Sequence, residues 1–151
     1  WISGVPISPK ADVYSYGMML FEIVSGRRNG EEPEEGRPSF FPAWAAQEVD
    51  GGEGGESAEF QDYASSEDPA GVEELRRACK VACWCIQDEE GDRPSMGQVV
   101  QMLEGVVEVG MPPVPKLLQN HVASGEEIVF ILERHSFASS KASSSGVSSQ
   151  S

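Results

Sequence analysis

Between Val13 and Val24 the chain places Val13, Tyr14, Tyr16, Met18, Met19, Leu20, Phe21, Ile23 and Val24 so densely that a helix there is apolar nearly all round. The flanks read as helix ends. Ser8 supplies a side-chain cap, Pro9 suits the first helical position, and Gly26 suits the left-handed stop. A helix that is apolar on every face is normally buried on every face. This one is too short for a membrane span of about 20 residues, and charges stand at both of its ends. The expectation is a mainly α protein with this helix at its centre and a good deal of protein around it.

Charge narrows the choice of partner. The chain has 151 residues and a net charge of −14, and its acid is concentrated. Between Glu31 and Asp68 twelve acidic residues face one basic residue, Arg37. Nucleic-acid binding needs clustered Lys and Arg, so a phosphate-backbone partner is excluded. The same stretch is rich in glycine, and Asp50–Ser57 reads as solvated loop. The three cysteines, Cys79, Cys83 and Cys85, sit within seven residues. Zinc sites pair such a unit with further ligands elsewhere, and none is found. Reduced, buried thiols on one helix are expected, with no metal site.

Further helices follow from periodicity and capping. Phe40–Val49 reads as a short helix with Pro42 near its start, and 58–71 as mostly loop. Val72–Gln87 is amphipathic, with Leu75, Ala78, Cys79, Ala82, Cys85 and Ile86 on one face. Asp88–Asp92 is an acidic turn. Ser95 and Gln98 form a capping box for a helix whose apolar stripe is Met96, Val99, Val100, Leu103, Val106 and Val107, ended by Gly110 and Pro112-Pro113. Val114–Asn120 is extended or briefly helical. From Ser136 to Ser151 nine of sixteen residues are serine, a composition expected to stay disordered. Those serines are candidate phosphorylation sites, although plain flexibility is the simpler reading.

Asp12-Val-Tyr-Ser-Tyr-Gly17, followed about eighty residues later by Arg93-Pro-Ser-Met, resembles the C-terminal helical lobe of a eukaryotic protein kinase. The runs Arg77-Ala-Cys-Lys-Val-Ala-Cys-Trp-Cys-Ile-Gln-Asp88 and Phe40-Phe-Pro-Ala-Trp44 narrow it to the plant receptor-like serine/threonine kinases of the G-type lectin S-receptor-like subgroup. The likeness covers residues 1 to about 120 and departs between Gly51 and Gly71. It implies an incomplete kinase-like fold: a partial kinase domain over 1–110, a Pro-containing extension over 111–135 and the serine tail over 136–151. It also implies structural roles for Asp12, Gly17 and Arg93. Asp12 would brace the catalytic loop, and Arg93 would pair with a glutamate of an Ala-Pro-Glu tripeptide that this sequence does not contain. Without that partner, Arg93 is expected to lie exposed near Asp88, Glu89, Glu90 and Asp92.

Phosphoryl transfer needs a Gly-rich phosphate loop, a phosphate-binding lysine, a catalytic Asp and Asn, and an Asp for magnesium. The sequence has none of these motifs, so catalytic residues are expected to be absent from this chain, and His121 and His135 read as surface residues. The complete kinase would use ATP and magnesium and would be anchored to the plasma membrane through an upstream segment, with this part on its cytoplasmic side. This chain would contribute a substrate-docking surface around Ser3, Gly4, Phe40, Phe41 and Trp44, with protein substrates or regulators as partners. Two other readings compete: a non-catalytic binding module derived from a kinase lobe, and an unrelated acidic helical adaptor. The first would leave a large apolar patch and an aggregation-prone product. The second does not explain two separated segments matching in order and spacing.

Overall fold

The computed structural model describes residues 8–33, 35–50 and 68–124, the side chains of 121–124 excepted. Expectations for Ser3, Gly4, the acidic glycine run, the His121 side chain, His135 and the serine tail fall outside that set. The described residues form α1 (Pro9–Ser25), α2 (Phe41–Asp50), α3 (Pro69–Cys85), a 3-10 turn (Glu90–Asp92), α4 (Met96–Leu103) and α5 (Lys116–Ser124). Among them there is no strand, as a mainly α chain requires.

The ends of α1 follow from its flanks. The Ser8 side chain accepts a hydrogen bond from the Lys10 amide at 3.1 Å, and Pro9 fills a position whose N–H would have no helical partner. Gly26 closes the helix at φ 71°, where a side chain would be strained, and its N–H donates to the Glu22 carbonyl at 2.9 Å.

Burial of α1 on every face is not observed. Val13, Gly17, Leu20 and Phe21 are buried and share one side of the helix. On the opposite side Asp12 and Ser15 are exposed, Met19 is 48% exposed and Ile23 63%. The main neighbours of α1 are α3 and α2, which cover one side. Apolar composition set the expectation, but the neighbours present set the burial.

The hub of the fold is α3, which packs against α1, α2 and α4. It buries Cys79, Val81, Ala82, Cys83 and Cys85, and Ile86 follows directly into the core. It begins three residues before the expected Val72, because the Asp68 carboxylate accepts from the Ala70 amide at 3.1 Å and Pro69 supplies a first-turn φ. Where α1 crosses α3, the helices meet at Gly17. A Cβ there would stand 2.6 Å from Cys85 Cβ, 2.8 Å from Ile86 Cγ2 and 3.0 Å from the Ala82 carbonyl oxygen. Only glycine fits that crossing without displacing α3.

The capping box of α4 is present. Gln98 N donates to Ser95 Oγ at 3.2 Å, and Ser95 N donates to Gln98 Oε1 at 2.9 Å. The helix stops well before Gly110, however. Gly105 turns left-handed at φ 74°, its N–H donates to Met102 O at 3.3 Å, and Val106 N–H donates to Gln101 O at 3.0 Å. That pair of bonds is the Schellman closure. The expected stripe is therefore cut short: Val99 is buried, Met102 and Leu103 pack partly, and Met96, Val100, Val106 and Val107 are exposed. Beyond the turn the chain runs back to the core. Pro115 and Leu118 are fully buried, and α5 packs on α2.

Candidate functional site

Arg93 lies where α1, the end of α3 and the start of α4 converge. Its Nε donates to Gln87 O at 2.8 Å, its Nη1 to Lys10 O at 3.1 Å and its Nη2 to Asp88 O at 3.4 Å. The guanidinium also sits over the Tyr14 ring, 5.0 Å from the centroid. Lys10 Nζ returns a hydrogen bond to the Arg93 carbonyl. The expected exposed arginine facing the acids of 88–92 is thus corrected. Arg93 is half-buried and directed at backbone carbonyls just past the C-terminal end of α3, where a cation is favoured. It ties the first turn of α1 to the exit of α3. Burial pushes the Tyr14 phenol above its ordinary pKa, Arg93 pulls it back down, and Asp88 adds to the rise.

Asp12 stands in the first turn of α1, exposed, with no hydrogen bond or ion pair among the described residues. The dipole of α1 favours its charge. Along the same side run Ser15, Met19 and Ile23, so one carboxylate heads an exposed, partly apolar helix face. Gly17 lies on the opposite side, against α3.

The Phe40–Trp44 group divides. Phe41 is buried, edge-on to Phe21 with ring centroids 6.3 Å apart, and 5.4 Å from Trp44. Phe40 and Trp44 are half-buried and reach the surface. Phe41 therefore supports that surface from beneath.

The three cysteines are free and buried. Burial pushes Cys79 and Cys85 up to about 12 and raises Cys83 as well, so none is a thiolate nucleophile near neutral pH. Among the described residues no three His, Cys, Asp or Glu gather as a metal site.

Several neighbours of Arg93 were missed from sequence. Lys10 and Tyr14 lie more than seventy residues away along the chain, and their proximity needs the fold. Gln87 had a signal, since it directly follows the apolar run ending at Ile86. It is buried, and its Nε2 donates to Cys83 O at 3.0 Å and Pro113 O at 2.7 Å.

Comparison with known proteins bears on what this arrangement is part of. A G-type lectin S-receptor-like serine/threonine-protein kinase of Arabidopsis thaliana is 56% identical over 128 residues, which is 85% of this chain. A second, SD2-2, is 50% identical over 79% of the chain, and a third is 43% identical over 91%. The chain belongs to the G-type lectin S-receptor-like serine/threonine-protein kinases. No family model matches it. It spans about 15% of the length of each of these three relatives. As part of such a receptor-like kinase, the stretch holds Asp12, Gly17 and Arg93 on one helical scaffold, with Asp12 facing outward and Arg93 inward. No helix among the described residues is long and apolar enough to cross a membrane.

Proposed function

We propose that this chain is part of the C-terminal helical lobe of a receptor-like kinase, where it scaffolds the catalytic machinery and presents a peptide-docking surface. The whole protein would transfer the γ-phosphate of ATP to Ser or Thr hydroxyls of protein substrates, from the cytoplasmic side of the plasma membrane. The observation that carries this is the exposed side of α1. Asp12 has its carboxylate outward and unbonded among the described residues, and Met19 and Ile23 continue the same face. A helix with core composition and one bare face fits a part whose remaining neighbours belong to the rest of a kinase. On this reading Asp12 accepts backbone N–H donors from the catalytic loop, and the exposed apolar residues pack beneath it. Phe40 and Trp44 form the docking surface, with Phe41 as their support.

Transfer chemistry resides elsewhere in the kinase. On this reading the Gly-rich phosphate loop, the phosphate-binding lysine and the magnesium aspartate, motifs this sequence does not contain, would be supplied by other parts of the protein, which would hold ATP and magnesium. The test is radiolabel transfer from ATP to a generic Ser/Thr substrate, by this chain alone and by a complete kinase that contains it. The chain alone is expected to give none and the complete kinase to transfer. ATP-dependent transfer by the chain alone would sink the proposal.

A further inference from the structure

We propose that residues 110–120 are a latch that sets the position of α2, and with it the surface formed by Phe40 and Trp44. The functional part of this inference rests on the docking reading above; the mechanical part does not.

The need for a latch follows from α2 itself. It has ten residues, and Phe41, Pro42, Ala43, Ala45, Ala46 and Val49 are all buried. At 100° per residue these span about 200° of the helix circumference. A surface helix ordinarily buries a stripe of roughly 100° against one neighbour. One packing partner cannot cover so wide an arc with side chains as small as alanine. The structure supplies partners from two parts of the chain: α3 with α1, and α5. A helix this short is also marginal in isolation, so its order depends on those contacts.

The segment that brings α5 there is fixed to α3 by directional bonds. Trp84 Nε1 donates to Gly110 O at 3.0 Å. Gln87, buried at the end of α3, donates to Pro113 O at 2.7 Å. Asp88 Oδ2 accepts from Lys116 N at 3.1 Å, satisfying an amide in the first turn of α5 that has no partner inside the helix. The segment then inserts Pro115 and Leu118, both fully buried. Pro112, Pro113 and Pro115 limit the freedom this segment loses on docking. Three polar groups of α3 and its exit thus hold the segment at three successive places. Leu118, fully buried, lies in α5, the element that packs on α2.

Hydrogen–deuterium exchange on the full chain tests this, comparing wild type with Leu118→Ala and with Trp84→Phe. The second variant keeps an aromatic ring and removes the N–H that holds Gly110. Both variants should speed exchange of α2 amides, by roughly 10- to 100-fold for Leu118→Ala and less for Trp84→Phe. Exchange in α4 should stay within about twofold of wild type. Unchanged α2 exchange in both variants would overturn the latch. So would an equal rise in α2 and α4, which would make the segment a general part of the core. A peptide-substrate KM measured on Trp44→Ala in the complete kinase separates the two ideas. An unchanged KM removes the docking reading and leaves the exchange result standing.

Discussion

Helices α1 and α3 have equal length, 17 residues each, and opposite appearances in sequence and structure. Composition makes α1 the buried scaffold, because its interior is almost wholly apolar. It makes α3 a surface helix, because charged residues occupy one face. In the structure α3 is the hub, contacting α1, α2 and α4, while α1 leaves Met19 and Ile23 largely in solvent. Composition reports how many faces a helix is equipped to bury, and the neighbours decide how many it does bury. The gap between the two in α1 is what points to further protein on its bare side.

The sharpest way to break this contrast is to change both sides of α1. Phe21 is fully buried against Phe41, so Phe21→Ala is expected to destabilise the chain by about 3–5 kcal/mol in urea unfolding. A loss below about 1 kcal/mol would mean the α1–α2 contact is not part of the folded core. Next comes the crossing itself. Gly17→Ala pushes a methyl into Cys85, Ile86 and the Ala82 carbonyl, and is expected to cost about 1–3 kcal/mol. Alanine's helix propensity returns up to about 1 kcal/mol of that. A net gain in stability would show that the helices stand further apart.

The core role of α3 is sharpened by its thiols. Their folded pKa lies above the unfolded value near 9, so the folded state keeps a proton that the unfolded state loses. Their contribution is intact below about pH 9 and is lost as pH rises toward about 12. For Cys79 the loss at pH 10 is on the order of 1 kcal/mol. Disulfide-reagent labelling at pH 8 should therefore wait for unfolding, and labelling of all three thiols in the native state within minutes would contradict their burial. The smallest effect belongs to the bare side of α1. Ile23→Ser should change stability of the isolated chain by no more than about 0.5 kcal/mol, measured in the same unfolding assay. A loss of several kcal/mol would mean that face is covered.

Local signals were legible in the sequence. Ser8-Pro9 and Gly26 bound α1, the Ser95–Gln98 box opens α4, and Phe40–Val49 anticipates α2, because capping and turn chemistry act within a few residues. Three features depended on longer range or on a competing local signal. The left-handed turn at Gly105 outranked the apolar stripe running on to Val107. Asp68-Pro69 capped α3 inside a stretch that the acidic run made look like loop. The return of Leu118 to the core depends on Trp84, Gln87 and Asp88, which lie 26 to 28 residues from their partners. The site divides the same way. Arg93 was singled out by resemblance, but its three carbonyl partners follow from how α1 and α3 meet. The outward position of Asp12 follows from which neighbours are present.

Asp12→Ala offers the most direct test, made in two settings. In this chain alone the melting temperature should hold within about 1–2 °C, because Asp12 makes no bond among the described residues. In a complete kinase containing the stretch, kcat should fall at least tenfold with little change in KM for ATP, as expected for a residue that positions the catalytic loop. A chain that loses stability while the complete kinase keeps its kcat would contradict the account. The carboxylate would then serve the helix that carries it, and the bare face of α1 would have no catalytic loop to support.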